Sequence, residues 1–304
     1  LTQKFAEQFA KLVGTKFAIP TTNCTSAIAI ALMSLDIKGK EVIIPDITFI
    51  ATSSAIMLTG ATPVLADVND NDFNISINSI KKNINSKTKA ILPVHFAGQP
   101  CDIKKIAKIA KSNDLLLIED CAHALGTKFD DKHVGTFGNT GCFSFYPTKN
   151  ITSIEGGMVI TNSKKIAKSI ISLRNHGLTK SLKSRFSKGK PWDYDVIEPG
   201  YNYRLDEIRS ALGLNQLKRI KKINLQRKNA CEYYNSKLKN IPGVVTPSYS
   251  NSTTSSYHLY IIKITTDFKI KRDELFKKLL NHGIQTSVHY KPLHEFTILK
   301  TKGK

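Results

Sequence analysis

Acidic residues are scarce in this sequence. It holds 24 Asp and Glu against 45 Lys and Arg, a formal charge of +21 over 304 residues. Cysteines are few: Cys24, Cys101, Cys121, Cys142 and Cys231 are scattered, odd in number and form no CxxC pair. That excludes a disulfide framework and a redox motif, gives no support to a metal site, and fits a reducing, cytoplasmic setting. Long apolar runs are missing as well, since the stretches at 90–94 and 115–118 fall far short of the roughly 20 residues of a membrane span. Leu1 does not open a charged segment followed by an apolar run, so no secretory signal is expected. The lack of Met at that position points to a trimmed or partial chain.

The shortage of acid raises nucleic acid as a partner, because clustered cations displace counterions from phosphates. The lysines, however, lie along helix-like segments at 104–111, 164–168 and 218–228, with no interleaved aromatics and no helix-turn-helix pattern. They read as solvated helix faces. Their collective field suits the attraction of an anionic small molecule. With 41% apolar and 23% charged residues the composition is that of a globular protein.

Thr2 is placed to cap a first helix in which Phe5, Ala6, Phe9, Leu12 and Val13 follow three-and-four spacing, and Gly14 is placed to end it. Strands are expected at 41–44, 63–66, 90–94, 115–119, 142–145 and 157–161, with helices at 25–35 and 102–112. Alternation of this kind implies a mostly parallel sheet covered by helices, with ligands at the carboxyl ends of strands. Residues 206–238 read as one long helix containing Gly213. Beyond the Ile241-Pro242-Gly243 breaker follow a strand at 257–264, a helix at 271–282 and a strand at 284–290.

Asp120 directly follows the apolar strand LLLIE. It reads either as a carboxylate facing a ligand or as a helix cap, and His123 as a ligand or a packed residue. Lys149 in FSFYPTKN follows a strand, and Gly156 and Gly157 come soon after. It is either a surface charge or a desolvated amine made nucleophilic by a lowered pKa. Thr25 and Ser26 open a helix, Phe49 follows a strand and turn, and Ser144 precedes the lysine.

In that order these residues resemble the DegT-type sugar nucleotide aminotransferases, pyridoxal phosphate enzymes of fold type I. The matching segments span almost the whole chain: NCTSAIAIAL, IPDITFIATSSAI, GATPVLADV, ILPVHFAGQPCDI, IEDCAHALGTKF, VGTFGNTGCFSFYPTKNITSIEGGMVITN, LRNHG, GYNYRLDEIRSALGLNQL and VHYKPLH. The resemblance implies a mostly parallel seven-stranded α/β sheet with helices on both faces. It divides the chain into a cofactor-binding domain at 1–238 and an incomplete α+β small domain at 239–304. The family's opening segment and the rest of its small domain are expected to lie outside this sequence.

Carried over position by position, Lys149 matches the lysine that links to the cofactor, and Asp120 the acid that pairs with the pyridine nitrogen. His123 stands near the cofactor's phenolic oxygen. Thr25 and Ser26 match the phosphate-binding turn, Ser144 a further phosphate ligand, and Phe49 the ring that stacks on the pyridine. Asn202 matches a residue that reaches the phosphate from a neighbouring subunit, which implies a homodimer with shared sites. His176, Tyr203, Arg204, His289 and Tyr290 match segments bordering the substrate. The implied reaction moves an amino group from L-glutamate to a keto sugar on a nucleotide diphosphate, with KPWDYDVIEPGYNYR resembling the four-aminotransferases of surface polysaccharide synthesis. Lys149 argues against the relatives that remove a sugar hydroxyl, which carry His there. A regulator that binds the cofactor without turnover, and a basic nucleic-acid-binding protein, are the alternatives.

Overall fold

The computed structural model describes residues 1–180, 191–250 and 252–302. Lys190 at the head of the KPWDYDVIEPGYNYR segment, Asn251 and the closing Gly303-Lys304 lie outside the described residues. Helix α1 (Thr2–Val13) buries Phe5, Phe9 and Val13, and Gly14 ends it with a left-handed φ of 76°, the conformation glycine adopts without a Cβ penalty. Thr2 is inside the helix and Leu1 is the capping residue, without a side-chain bond. An acid from a distant helix replaces the local cap: Glu207 accepts from the Thr2 N–H at 3.3 Å.

The chain continues through β1 (Phe17–Thr21), α2 (Cys24–Met33), β2 (Glu41–Pro45), α3 (Ala51–Leu58), β3 (Thr62–Ala66), α4 (Ile77–Asn83), β4 (Thr88–Ile91), α5 (Ile103–Ser112) and β5 (Leu116–Asp120). A small hairpin of β6 (Lys128–Phe129) and β7 (Lys132–His133) precedes β8 (Thr140–Ser144), β9 (Gly157–Thr161) and α6 (Lys164–Leu173). Seven strands form one sheet in the order β1-β9-β8-β5-β4-β2-β3. Every pairing from β8 across to β3 is parallel, and β9 runs antiparallel to both of its neighbours. The strands other than β9 therefore point their carboxyl ends to one edge, and β9 begins there. Strand β1 carries no long apolar run, and it went unread in the sequence; it is held by β9 through five residue pairs, Phe17–Thr161 to Thr21–Gly157.

Adjacent strand residues point to opposite faces, and the core divides accordingly. Val42, Ile44, Ile118, Cys142 and Val159 pack with α2, α3 and α6. Their neighbours face the other way, Ile43 and Leu117 with α4 and α5, Phe143, Met158 and Ile160 with α1. The expected single helix at 206–238 is two, α7 (Glu207–Leu217) and α8 (Ile220–Leu238), with Lys218 and Arg219 at the bend. Leu217 and Ile220, on either side of the bend, both enter the cluster around Phe5 and Phe9. Gly213 sits under Phe5 so closely that a Cβ there would lie 2.7 Å from the ring.

After α8 come β10 (Val244–Val245), β11 (Thr253–Thr254), β12 (Lys263–Ile264), α9 (Arg272–Asn281) and a final α10 (Thr297–Lys302). Only Lys263–Ile264 of the expected strand at 257–264 pairs, with Val244–Val245. Its first half cannot join a ladder because its amides are committed elsewhere: Ser256 N–H donates to Gly98 O at 3.1 Å, and those of His258 and Leu259 to Ala97 O at 3.0 and 3.2 Å. The expected strand at 284–290 forms no ladder among the described residues; with no strand beside it, its backbone stays irregular. Farther on, Leu293 and Leu299 are buried in the same core as α2 and α3. No described helix is long and apolar enough to cross a membrane.

Candidate active site at the carboxyl edge of the sheet

Topology alone brings most of the singled-out residues to one edge. Asp120 ends β5, Ser144 ends β8, Thr25 and Ser26 lie in the first turn of α2 just beyond β1, and Phe49 follows β2. Lys149 is in the loop between β8 and β9, its N–H donating to Tyr146 O at 2.9 Å. Gly157 opens β9 against the turn before α2, where a Cβ would lie 2.4 Å from Asn23 O. A side chain there would push the loop carrying Lys149 away from α2.

Asp120 is buried and oriented by two donors, Thr52 Oγ1 to Oδ2 at 2.9 Å and Ala122 N–H to Oδ1 at 3.0 Å. Burial raises its pKa above the ordinary carboxylate value, against the pull of those bonds and of the Lys149 charge. Burial likewise lowers the Lys149 pKa, with Cys24 and Asp120 pulling the other way. The acid and the amine are thus both moved toward their neutral forms, and each feels the other. The capping reading of Asp120 is met by its Oδ1, which accepts the Ala122 N–H of the following turn.

His123 is buried beside them, and its pKa lies well below the ordinary value, first through burial and then through the charge of Lys149. Its Nε2 lies 3.3 Å from the Tyr290 hydroxyl. Its Nδ1 is buried without a hydrogen-bond partner among the described residues. A buried polar atom left unpaired costs free energy, which sets this nitrogen apart from the other buried ring nitrogens of the site. Phe49, Phe96 and Tyr290 form an aromatic wall, with Tyr290 6.0 Å from Phe49 and 5.9 Å from Phe96 between ring centroids. Phe49 is 57% exposed, so one side of its ring is open to solvent.

At the start of α2 the Asn23 side chain accepts the Ser26 N–H at 2.8 Å, and Thr22 Oγ1 donates to Ser26 Oγ at 3.2 Å. One first-turn donor is therefore occupied by the helix's own cap. The LRNHG and GYNYR segments lie side by side: His176 N–H donates to Tyr201 O at 3.0 Å, and the Arg204 guanidinium to Asn175 Oδ1. Thr22 N–H donates to Tyr203 O at 3.1 Å, which ties this pair to the α2 turn. The Tyr201 and Tyr203 rings stack at 4.7 Å, while His176, Asn202 and Arg204 are exposed. In the carboxy-terminal segment, His289 adjoins Tyr290 and its pKa is lowered by burial and by Lys149.

Two features were not singled out in the sequence. Glu119 is fully buried and accepts from Phe137, Gly138 and Gly135 N–H at 2.7, 2.8 and 2.7 Å, and from His95 Nε2 at 3.1 Å. His95, Glu119 and Cys121 have ligand-type atoms within 4.8 Å of one another, but the carboxylate is already saturated by donors, which makes this a structural brace. An acid ending an apolar strand was its one sequence signal. His258 is the second, its ring 4.5 Å from that of His123; it comes from a distant segment, and nothing local announces it.

The DegT/DnrJ/EryC1/StrS aminotransferase family matches residues 1–304. The spore coat polysaccharide biosynthesis protein SpsC of Bacillus subtilis is 37% identical over 295 residues, 96% of this chain and 76% of that protein. The GDP-perosamine synthase of Vibrio cholerae is 37% identical over 292 residues, 96% of this chain and 77% of that protein. Among solved structures, Helicobacter pylori PseC, an aminotransferase involved in the biosynthesis of pseudoaminic acid, superposes with a TM-score of 0.91 at 32% identity, covering 99% of this chain and 80% of that one. A match along the whole length, in the order in which the fold assembles its sheet edge, means that the chain belongs to the DegT/DnrJ/EryC1/StrS family of pyridoxal phosphate dependent aminotransferases.

Proposed function

We propose that this chain moves an amino group from L-glutamate to the keto group of a sugar carried on a nucleotide diphosphate, a four-keto-six-deoxy sugar in our reading. The edge fits pyridoxal phosphate on three counts. The unpaired His123 Nδ1 lacks a partner, the buried Asp120 carboxyl is moved off its ordinary pKa by desolvation, and the Lys149 amine is desolvated nearby. The coincidence of these three at one strand edge carries the proposal.

In this reading Lys149 holds the cofactor covalently, Asp120 pairs with its ring nitrogen and His123 with its phenolic oxygen. Thr25, Ser26 and Ser144 receive the phosphate, Phe49 covers the ring, and Asn202 reaches the phosphate of a partner subunit in a homodimer. The bound cofactor supplies an electron sink for the carbon bearing the amine. Lys149 Nζ, once released, takes the proton from that carbon and returns it one position along, which a lowered pKa permits. Asp120 keeps a proton at the ring nitrogen through a charge-assisted hydrogen bond. His176, Tyr203, Arg204, His289 and Tyr290 line the approach of the sugar. Residues 1–238 would form the cofactor-binding domain and 239–304 the start of the small one. The free, buried cysteines suit a reducing, cytoplasmic setting.

The test is borohydride reduction of the full-length protein with pyridoxal phosphate, followed by peptide mapping, and 2-oxoglutarate release from glutamate with keto-sugar nucleotides. Label on Lys149 together with donor-driven amination supports the assignment, and Lys149→Ala should abolish turnover while retaining noncovalent cofactor binding. Undiminished turnover in that variant would sink it.

A further inference from the structure

Asn150 directly follows Lys149 and has no part in the chemistry above, yet it is the hub of a buried hydrogen-bond chain. Its Nδ2 donates to Ser256 O and to Asn224 Oδ1, both at 2.7 Å. Asn224 Nδ2 in turn donates to Leu125 O at 3.0 Å. Main-chain carbonyls at both ends accept only, so neither carboxamide can be turned over. The Asn150 oxygen must therefore face His258, whose Nδ1 lies 3.0 Å from it. One proton arrangement satisfies this contact, with hydrogen on His258 Nδ1 and a free lone pair on Nε2.

The surroundings oppose a second proton. Burial opposes it most, and Lys149 from the loop after β8, Arg227 from α8 and His289 from the carboxy-terminal segment add to that effect. Arg227 also donates to His258 O at 3.0 Å, which fixes the backbone beneath the ring. On its other side the His258 ring faces His123, with planes inclined by 36°, and Ser256 Oγ donates to His123 O at 2.5 Å.

We propose that Asn150 and His258 are positioning residues for this site: the Asn150 carboxamide holds His258 as its neutral Nδ1–H tautomer, and that ring seats His123 beside Lys149. A neutral ring seats His123 without adding a cation next to the Lys149 amine. The consequence for turnover rests on the amino-transfer reading, whereas the tautomer does not.

Solid-state NMR of the full-length protein with isotope-labelled histidine, without added cofactor, reads the tautomer directly, and His258→Asn assigns the signal. We expect Nδ1–H at mildly acidic and mildly alkaline pH alike, and a mixture in Asn150→Leu. An Nε2–H tautomer, or ordinary titration near about 6.5, overturns the proposal. Asn150→Ala serves if the leucine variant does not fold; a pure Nδ1–H signal in either variant also overturns the proposal. In the loaded enzyme, His258→Leu should lower kcat on the order of 100-fold with KM for the donor little changed, as misplaced reacting groups do. His258→Asn, whose amide nitrogen can take the Nδ1 place, should recover most of that loss; equal kcat values for the two variants refute the positioning role. An intact tautomer without label on Lys149 would overturn the amino-transfer reading and leave the pairing standing.

Discussion

Replacing Glu119 with Gln tests whether the brace behind the site is as rigid as its geometry implies. Both carboxylate oxygens are doubly engaged, Oε1 by Phe137 and Gly138 N–H and Oε2 by Gly135 N–H and His95 Nε2. His95 Nδ1 accepts the Cys101 N–H at 3.1 Å, so its Nε2 carries hydrogen and all four partners are donors. A carboxamide must turn its NH2 toward two of them in either orientation. The milder arrangement faces Gly135 and His95, but the ring can change tautomer only by abandoning Cys101. Hydrogen bonds to a charged group are each worth about 1.5–3 kcal/mol net, so losing two costs roughly 3–6 kcal/mol. Domains have only about 5–15 kcal/mol in total. Urea unfolding should show a large fall in midpoint at an unchanged slope. Because Asp120 is the next residue on β5, cofactor affinity should fall as well. A stability within about 1 kcal/mol of the parent would refute the reasoning, since it is less than one such bond.

Asp120→Asn should retain the cofactor but slow proton transfer by roughly two orders of magnitude or more, measured as single-turnover bleaching by glutamate; a normal rate would show that another group serves the ring nitrogen. Gly213→Ala places a methyl 2.7 Å from Phe5, and overpacking of about 1–3 kcal/mol should outweigh the helix-propensity gain of about 1 kcal/mol; a variant more stable in urea contradicts that close packing. Burial depresses the pKa values of His123, His133 and His258 in the folded chain, His133 from 6.5 to about 4. The unfolded chain then binds more protons below 6.5, so stability must fall as pH drops, by about 1.4 kcal/mol per unit for each such residue. A urea midpoint that stays flat from pH 6.5 down to about 4 contradicts this. If Asn202 serves the partner's site, mixing inactive Lys149→Ala and Asn202→Ala dimers should restore activity through subunit exchange, whereas failure after verified exchange places both groups in one chain.

The sheet was legible because β2, β4, β5, β8 and β9 are buried runs with no competing helical period. Strand β1 was missed because Thr and Pro dilute its apolar residues, and its stability comes from β9, far away in sequence. The split between α7 and α8 was hidden because helical periodicity continues through Lys218 and Arg219: Leu217 and Ile220, three residues apart, keep the same apolar face toward the Phe5 and Phe9 cluster on both sides of the break. Within the site, the places of Asp120 and Lys149 after strands drew notice but left two readings open for each, and only the resemblance assigned them roles. Asn150, Ser256 and His258 were not legible, since their partners are backbone carbonyls and amides that no residue pattern encodes.

Those unreadable contacts explain how a segment distant in sequence governs the edge. Ser256 donates to His123 O, His258 meets Asn150, Tyr290 reaches His123, and His294 pairs with Asp46 at 2.5 Å beyond β2. The first three grip His123 or the residue after Lys149, the fourth holds the turn that leads to Phe49, and none of them supplies the acid or the amine. The large sheet therefore fixes where Asp120 and Lys149 stand, while residues 255–294 decide how His123 is turned between them. Loosening residues 255–290, which contribute no side chain to the main core clusters, would misalign one ring while Leu293 stays packed against α2 and α3, which makes turnover more sensitive than stability to changes there.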